Sequence, residues 1–369
     1  VSMELFTSEG QQQLQVNTGL RIQGGASRNP NRPKHNMRLL FKERYGASKL
    51  DFPLFEHGDV DRFDTLILRG GNGDSWFHPS ATQQSQAQYI RDQWHRETQR
   101  LTGNLHVAQR HFHLYVNGLY WGFYHVFEKP NASFFAERFG GEPEDYDVLQ
   151  HKNSTVDGNR DAWNEMIKIV RTDSELPETF ESVQQYIDLE GLADYLLINF
   201  YSGNVDWDQN NWFGGRKRAP GEQFKFFTWD AERSFLTNVN ENRTGLVNAN
   251  QPSFFHQRMA RNLEYRMLFA DRAHRLLFNE GLLTPERVEQ TWMQFADEIE
   301  LPLAAESARW GDNKRPTRPY STDSEWTREL NRLKDSWFPR RTEILISQLQ
   351  RRNMYPEVVA PVFNQHGGL

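Results

Sequence analysis

The sequence predicts an α+β fold, strand-rich over its first third and mainly helical thereafter. Three observations carry this: apolar alternation in short runs up to about residue 128, an Asn-Gly pair at 117–118 between two such runs, and helical periodicity from Asn131 onward. The expected division is a β-rich unit with one major helix at 1–130, a helical unit at 131–355, and a tail at 356–369.

Each element has a local reason. Strands are expected from Val1 to Phe6, Leu14 to Ile22, Met37 to Lys42 and Thr65 to Arg69, followed by a hairpin from Phe112 to Phe127. The hairpin turns at Asn117-Gly118, residue types that accept the positive φ of a two-residue turn. One helix is expected within the sheet, from Gln84 to Leu101, with Gly103 closing it. Asn131 is the N-cap of the next helix and Gly140-Gly141 its stop. Helices follow at Arg160–Arg171, Glu178–Ile187, Leu189–Phe200, Glu264–Phe278, Pro285–Ile299 and Trp326–Asn353. Between them Trp212–Gly214 and Phe224–Trp229 read as a two-stranded ribbon, and Ala304–Ser324, rich in Arg, Pro, Ser and Asp, as a surface loop. The strand at Val1 and the closing run Phe363 to Leu369 suggest a piece of a longer polypeptide.

Composition narrows the function classes. With 369 residues, two units are the default expectation. The hydrophobic fraction is 37% and mean hydropathy −0.80, yet 26 Phe, 12 Tyr and 11 Trp supply bulky core residues. A net charge of −6 offers no overall attraction for nucleic acid, so none is expected as a partner. The absence of cysteine excludes disulfides and thiolate metal sites. No apolar run reaches the roughly 18 to 20 residues of a membrane-spanning helix.

Two clusters carry candidate chemistry. The segment from Gly203 to Trp212 follows a helix, precedes a strand and sets carboxylates and amides among aromatic residues. Phosphoryl transfer needs a carboxylate beside the acceptor hydroxyl and an amide oxygen on the metal, supplied in protein kinases by Asp-x-x-x-x-Asn. Asp206 and Asn211 have that spacing, and Asp230, after the ribbon, sits where a second metal-holding carboxylate is needed. Asp208 and Glu232 are secondary candidates. The same pattern also arises from Asx turns and a strand end. The second cluster is Gly24, Gly25, Ser27 and Arg28, followed by Lys34 and Arg38 between two strands. Glycines let backbone amides approach phosphate oxygens and the cations offset charge, although a plain turn with solvated basic residues reads the same way. Lys34 and Arg38 are both candidates for the phosphate cation. Asp92 and Glu97 on the Gln84–Leu101 helix are options for an acidic partner.

Taken in order, these motifs resemble the CotH kinase family over nearly the whole chain. Gly24 to Arg28 with Lys34 to Phe41 is similar to the family's Arg-Gly-Asn-Ser-Ser and Lys-Lys-x-Tyr-x-Ile-Lys-Phe. Tyr120 to Lys129 is similar to its Tyr-x-Gly-x-Tyr-x-x-x-Glu strand, which adds Glu128 to the nucleotide-binding set. Asn204 to Trp212 resembles Asn-x-Asp-Asn-x-x-x-Asn-Tyr, and Trp229-Asp230 its Trp-Asp. Asn262 to Arg266 and Phe269 to Arg272 resemble its downstream helical signature. The chain departs from the pattern at Gly25-Ala26, in place of Asn-Ser, and at Trp207, where the family has Asn. The resemblance implies a divergent bilobal kinase fold using ATP with Mg2+ or Mn2+ to phosphorylate Ser or Thr of a secreted or surface protein. It also implies Asp206 as catalytic, Asn211 and Asp230 on the metal, and a location outside the cell or on its surface. The rival readings are a metal-dependent phosphohydrolase using Asp206, Asp208 and Asp230, and a non-catalytic extracellular or coat module using Trp76, Tyr120 and Trp121.

Overall fold

The computed structural model describes residues 1–152 and 154–358. Within them β1 (Ser2–Phe6) and β2 (Gln12–Asn17) form a hairpin, and β3 (Gly19–Ile22) and β4 (Met37–Leu40) enter a larger sheet. After the short pair β5 (Leu50–Asp51) and β6 (Arg62–Phe63), β7 (Thr65–Arg69) joins that sheet. Helices α1 (Ala81–Ser85) and α2 (Arg91–Leu101) come next, then β8 (Gln109–Val116) and β9 (Leu119–Glu128). The sheet is antiparallel, in the order β3-β4-β7-β9-β8.

The remaining elements are α3 (Ala132–Phe139), β10 (Tyr146–Gln150), β11 (Ser154–Asp157), α4 (Asp161–Thr172), α5 (Pro177–Gln184) and α6 (Leu189–Ser202). Then follow β12 (Trp212–Lys217), β13 (Lys225–Thr228), α7 (Pro252–Met259), α8 (Leu263–Leu277), α9 (Pro285–Trp310), α10 (Thr327–Arg332) and α11 (Phe338–Gln350). A second sheet has the order β11-β10-β12-β13.

Local chemistry explains the boundaries that matter. Asn117 and Gly118 both take positive φ, 50° and 80°, as the hairpin turn requires. The caps of α3 and α8 are side chains: Asn131 Oδ1 accepts from Phe134 N at 3.1 Å, and Asn262 Oδ1 from Tyr265 N at 3.1 Å. Helix α6 is buried on nearly every face, from Leu192 to Tyr201, and so forms the axis of the helical core. It ends at Gly203, whose left-handed φ of 60° turns the chain into the Asp206 loop.

Several expectations are corrected. The single helix from Gln84 to Leu101 is two helices, broken at 86–90, where Tyr89 takes φ 64° and the Asp74 carboxylate accepts from the amides of Gln88, Ile90 and Arg91. The Leu14–Ile22 strand is likewise split, into β2 and β3. The expected ribbon is one half of a four-stranded sheet, with β13 at its edge, because β10 and β11 give only short signals in sequence. Residues 304–310 belong to α9, which carries Pro302 internally and buries Leu303, Glu306 and Trp310, and a wide helical turn begins at Thr322, so only 311–321 is loop. The Trp326–Asn353 helix is interrupted between α10 and α11 by a wider turn at 333–337. The closing residues 359–369 lie outside the described residues.

Candidate functional site

Two backbone junctions bring the Asp206 loop to the Asp230 turn. In the β12–β13 pairing Trp212 faces Thr228, so Asn211 and Trp229 leave the ribbon side by side. Beyond the turn, Val205 N donates to Arg233 O at 3.0 Å and Phe235 N to Ser202 O at 2.8 Å. Asp206 is held by amides: Asn211 Nδ2 donates to its Oδ2 at 2.9 Å and Asn210 Nδ2 to its Oδ1 at 3.2 Å. With its nitrogen so engaged, Asn211 has its Oδ1 left for a cation. Asn211 and Asp230 both sit in the left-handed region, at φ 64° and 56°. Non-glycine residues cost about 1 kcal/mol or more there, and persist where their surroundings over-determine them.

Asp230 pairs with Arg69, the last residue of β7. The same guanidinium donates through Nε to Glu232 at 2.5 Å, and Gly73 N donates to the other Glu232 oxygen. From α2, Asp92 accepts from Ala231 N at 2.9 Å and from Arg96 at 3.1 Å. Burial pushes the Asp230 carboxyl up to about 7, with Glu232, Asp92 and Asp206 acting in the same direction and Arg69 against them. Burial works against the charge on Arg69, but Asp230 and Glu232 outweigh it and hold the guanidinium well above its ordinary range. For Asp92, burial is likewise outweighed by Arg96 and Arg69, which hold its carboxyl well below the usual carboxylate range.

The other expected residues separate into three groups. Gly24, Gly25 and Arg28 lie exposed on the loop between β3 and β4. Ser27 is buried and staples that loop, its Oγ accepting from Asn36 N at 2.5 Å. Arg38 is half-buried on β4 opposite Ile67, with Arg21 and Asp64 as its charged neighbours. Lys34 and Glu128 are each held by a partner within the fold. Lys34 is fully buried, donating to Glu306 of α9 at 2.6 Å and to Phe123 O at 2.5 Å, so its charge is committed away from the Asp230 turn. Glu128 pairs with Arg138 of α3 at 2.7 Å and accepts from Ala108 N at 3.2 Å, which ties the end of β9 to its neighbours. Of the two acidic options on α2, Asp92 faces the Arg69 cluster, whereas Glu97 pairs with Arg100 at 2.7 Å. Asp208 is structural: it accepts from Asn248 Nδ2 at 2.7 Å and from Ser253 N at 2.6 Å, anchoring the start of α7.

Sequence reasoning missed Arg69 and left Glu232 secondary. The signal for Arg69 was present, since Leu66-Ile67-Leu68-Arg69 is an apolar strand run ending in a cation, like the Val-Ala-Ile-Lys strand of kinases. An all-oxygen donor set of Asn211 and Asp230 fits Mg2+, which takes one or two protein carboxylates and completes its shell from phosphates and water. Among the described residues no group of three or more His, Asp or Glu is placed to hold a metal without such help.

A five-stranded antiparallel sheet, the helices α1 and α2 between its third and fourth strands in sequence, and an Asp-Asn loop joined by a ribbon to a second Asp are the parts of a kinase-like protein. The chain belongs to the CotH kinase family: the family model, described as CotH kinase protein, matches residues 21–345. No curated protein matches the chain.

Proposed function

We propose that this chain is a Mg2+- or Mn2+-dependent protein kinase of bilobal organisation that transfers the γ-phosphoryl group of ATP to Ser or Thr hydroxyls of a secreted or surface protein. The observation that carries the reading is the convergence of Asp206, Asn211, Asp230 and Arg69 from three separate elements. In this reading Asp206 accepts or orients the hydroxyl proton of the acceptor, and the amides of Asn210 and Asn211 hold its carboxylate in place. Asn211 and Asp230 hold the divalent ion, which offsets phosphate charge. Arg69 takes the role of the strand cation that contacts phosphates, with Asp92 as its acidic neighbour from α2. The exposed Gly24-Gly25 stretch covers the phosphates with backbone amides. Such catalysis is mainly positioning and charge stabilisation, which a site built on rigid strand ends serves. The phosphohydrolase alternative loses Asp208, whose oxygens are taken by Asn248 and Ser253.

Labelled ATP, Mg2+ and a Ser-rich test protein provide the test. Asp206→Asn is expected to bind ATP-Mg2+ like the native chain by calorimetry while transfer falls on the order of 10²-fold or more. Joint loss of metal binding and transfer would instead make Asp206 a metal ligand and favour hydrolysis.

A further inference from the structure

The turn after Asp230 and the loop between β3 and β4 each carry a guanidinium that the fold leaves without full partners. Arg233 follows Glu232, and its carbonyl is bonded to Val205 N, one residue before Asp206. Its Nε is buried with no hydrogen-bond partner. Arg32 has a buried, unpartnered Nη1. Its loop is fastened to the site, because Asn36 Oδ1 accepts from Gly70 N at 2.8 Å, beside Arg69. Both guanidinium groups act electrostatically on His78, and Glu232 acts on both Arg32 and His78, so the four groups form one cluster. Among the described residues neither arginine forms an ion pair with Glu232, whose oxygens accept from Arg69 and Gly73 N. Buried guanidinium N–H groups without acceptors are costly, and a multivalent oxyanion is the ligand whose geometry they match.

We propose that Arg32 and Arg233 form a clamp for the polyphosphate of the nucleotide donor beside the Asp230–Glu232 turn. The proposal rests on the phosphotransfer reading of Asp206 and Asp230 and adds to it the residues that choose a polyphosphate over a nucleoside. Neither arginine belongs to the glycine-loop motif, and neither needs to contact the acceptor.

Calorimetry with two probes tests it: ATP with MgCl2, and inorganic triphosphate. The proteins are the native chain, Arg32→Ala, Arg233→Ala, Arg233→Lys and Asp230→Asn, each checked for fold by circular dichroism. Each alanine variant is expected to weaken both probes by about 10- to 100-fold, the scale of a lost hydrogen bond to a charged group. Arg233→Lys should fall in between, retaining charge but losing the two-pronged geometry; it also remains interpretable if the alanine variant does not fold. Native-like affinity in the arginine variants, with ATP-Mg2+ binding lost in Asp230→Asn, would overturn the clamp and leave the kinase reading standing. Arginine-dependent binding of triphosphate with no transfer of label to any acceptor would keep the clamp and overturn that reading. No binding of either probe by the native chain would overturn both.

Discussion

Lys34 and Arg69 are both buried cations attached to the five-stranded sheet, with side chains 0% and 6% exposed, yet they meet different carboxylates. Lys34 lies in a closed aromatic pocket, its Nζ 4.8 Å from the centroid of Tyr124 and 5.4 Å from that of Phe77. Its carboxylate partner, Glu306, also accepts from Phe123 N at 2.8 Å, so one ion pair locks the β3–β4 loop, β9 and α9 together. Arg69 instead points at two carboxylates on a turn that carries left-handed Asp230. One cation has a single anion and no free surface; the other faces an excess of acidic groups and the edge of the Asp206 loop. Burial alone therefore does not separate the two cations; what each is buried against does.

The largest expected effect comes from removing Arg69. Arg69→Met leaves Asp230 and Glu232 repelling one another at the point where phosphate charge would be met. Transfer should fall by about 10²- to 10³-fold, the scale of losing one preorganised electrostatic group. Radiolabel transfer to a Ser-rich acceptor checks this, and native turnover by Arg69→Met would erase the distinction drawn between the two cations.

Lys34→Met should act on stability instead. Removing one partner of a fully buried pair costs about 3 to 5 kcal/mol, because the other charge is stranded. Denaturant unfolding should show that loss, while the folded fraction retains native ATP-Mg2+ affinity. Adding Glu306→Gln removes the stranded charge and should recover part of the stability. A weakened ATP affinity at unchanged stability would return Lys34 to the phosphate site.

These two residues also show what was legible in the sequence. Asp206, Asn211 and Asp230 were readable because their arrangement is set by short-range spacing around one ribbon. The partner of Lys34 was not, since Glu306 lies 272 residues away and nothing local distinguishes it from other helical glutamates. Gly24 and Lys34 looked like one phosphate motif, but Pro33 and the Ser27 staple separate an exposed glycine turn from a buried lysine. The course of α9 was obscured by Pro302 and its polar flanks, although burial of Leu303, Glu306 and Trp310 keeps it helical to Trp310. Strand β10 depends on pairing with β12, and β11 on pairing with β10, a tertiary condition that periodicity does not carry.

The smallest effect extends the contrast to histidines. His256, on α7 in the helical core, is fully buried, and burial depresses its imidazole to about 3, with Tyr265 Oη at 2.9 Å from Nδ1. His78 lies half-buried in the arginine cluster beside Glu232, its imidazole lowered first by burial and then by Arg32 and Arg233. Between about pH 6.5 and about 3 the unfolded chain protonates His256 and the folded chain does not. The unfolded state then binds more protons, so stability falls as pH drops through that window, by about 1.4 kcal/mol per pH unit for one such group. His256→Gln should flatten the slope of unfolding free energy by about that amount between pH 6 and 4, whatever it does to stability at pH 7. His78→Gln should change this slope less, because a half-buried ring that gains a nearby anion titrates closer to its unfolded value. Its larger effect is expected on ATP-Mg2+ affinity measured across the same range. Equal slopes for native and His256→Gln proteins would mean that the imidazole gains its proton within the fold, which the apolar packing of Phe200 and Phe269 around it opposes.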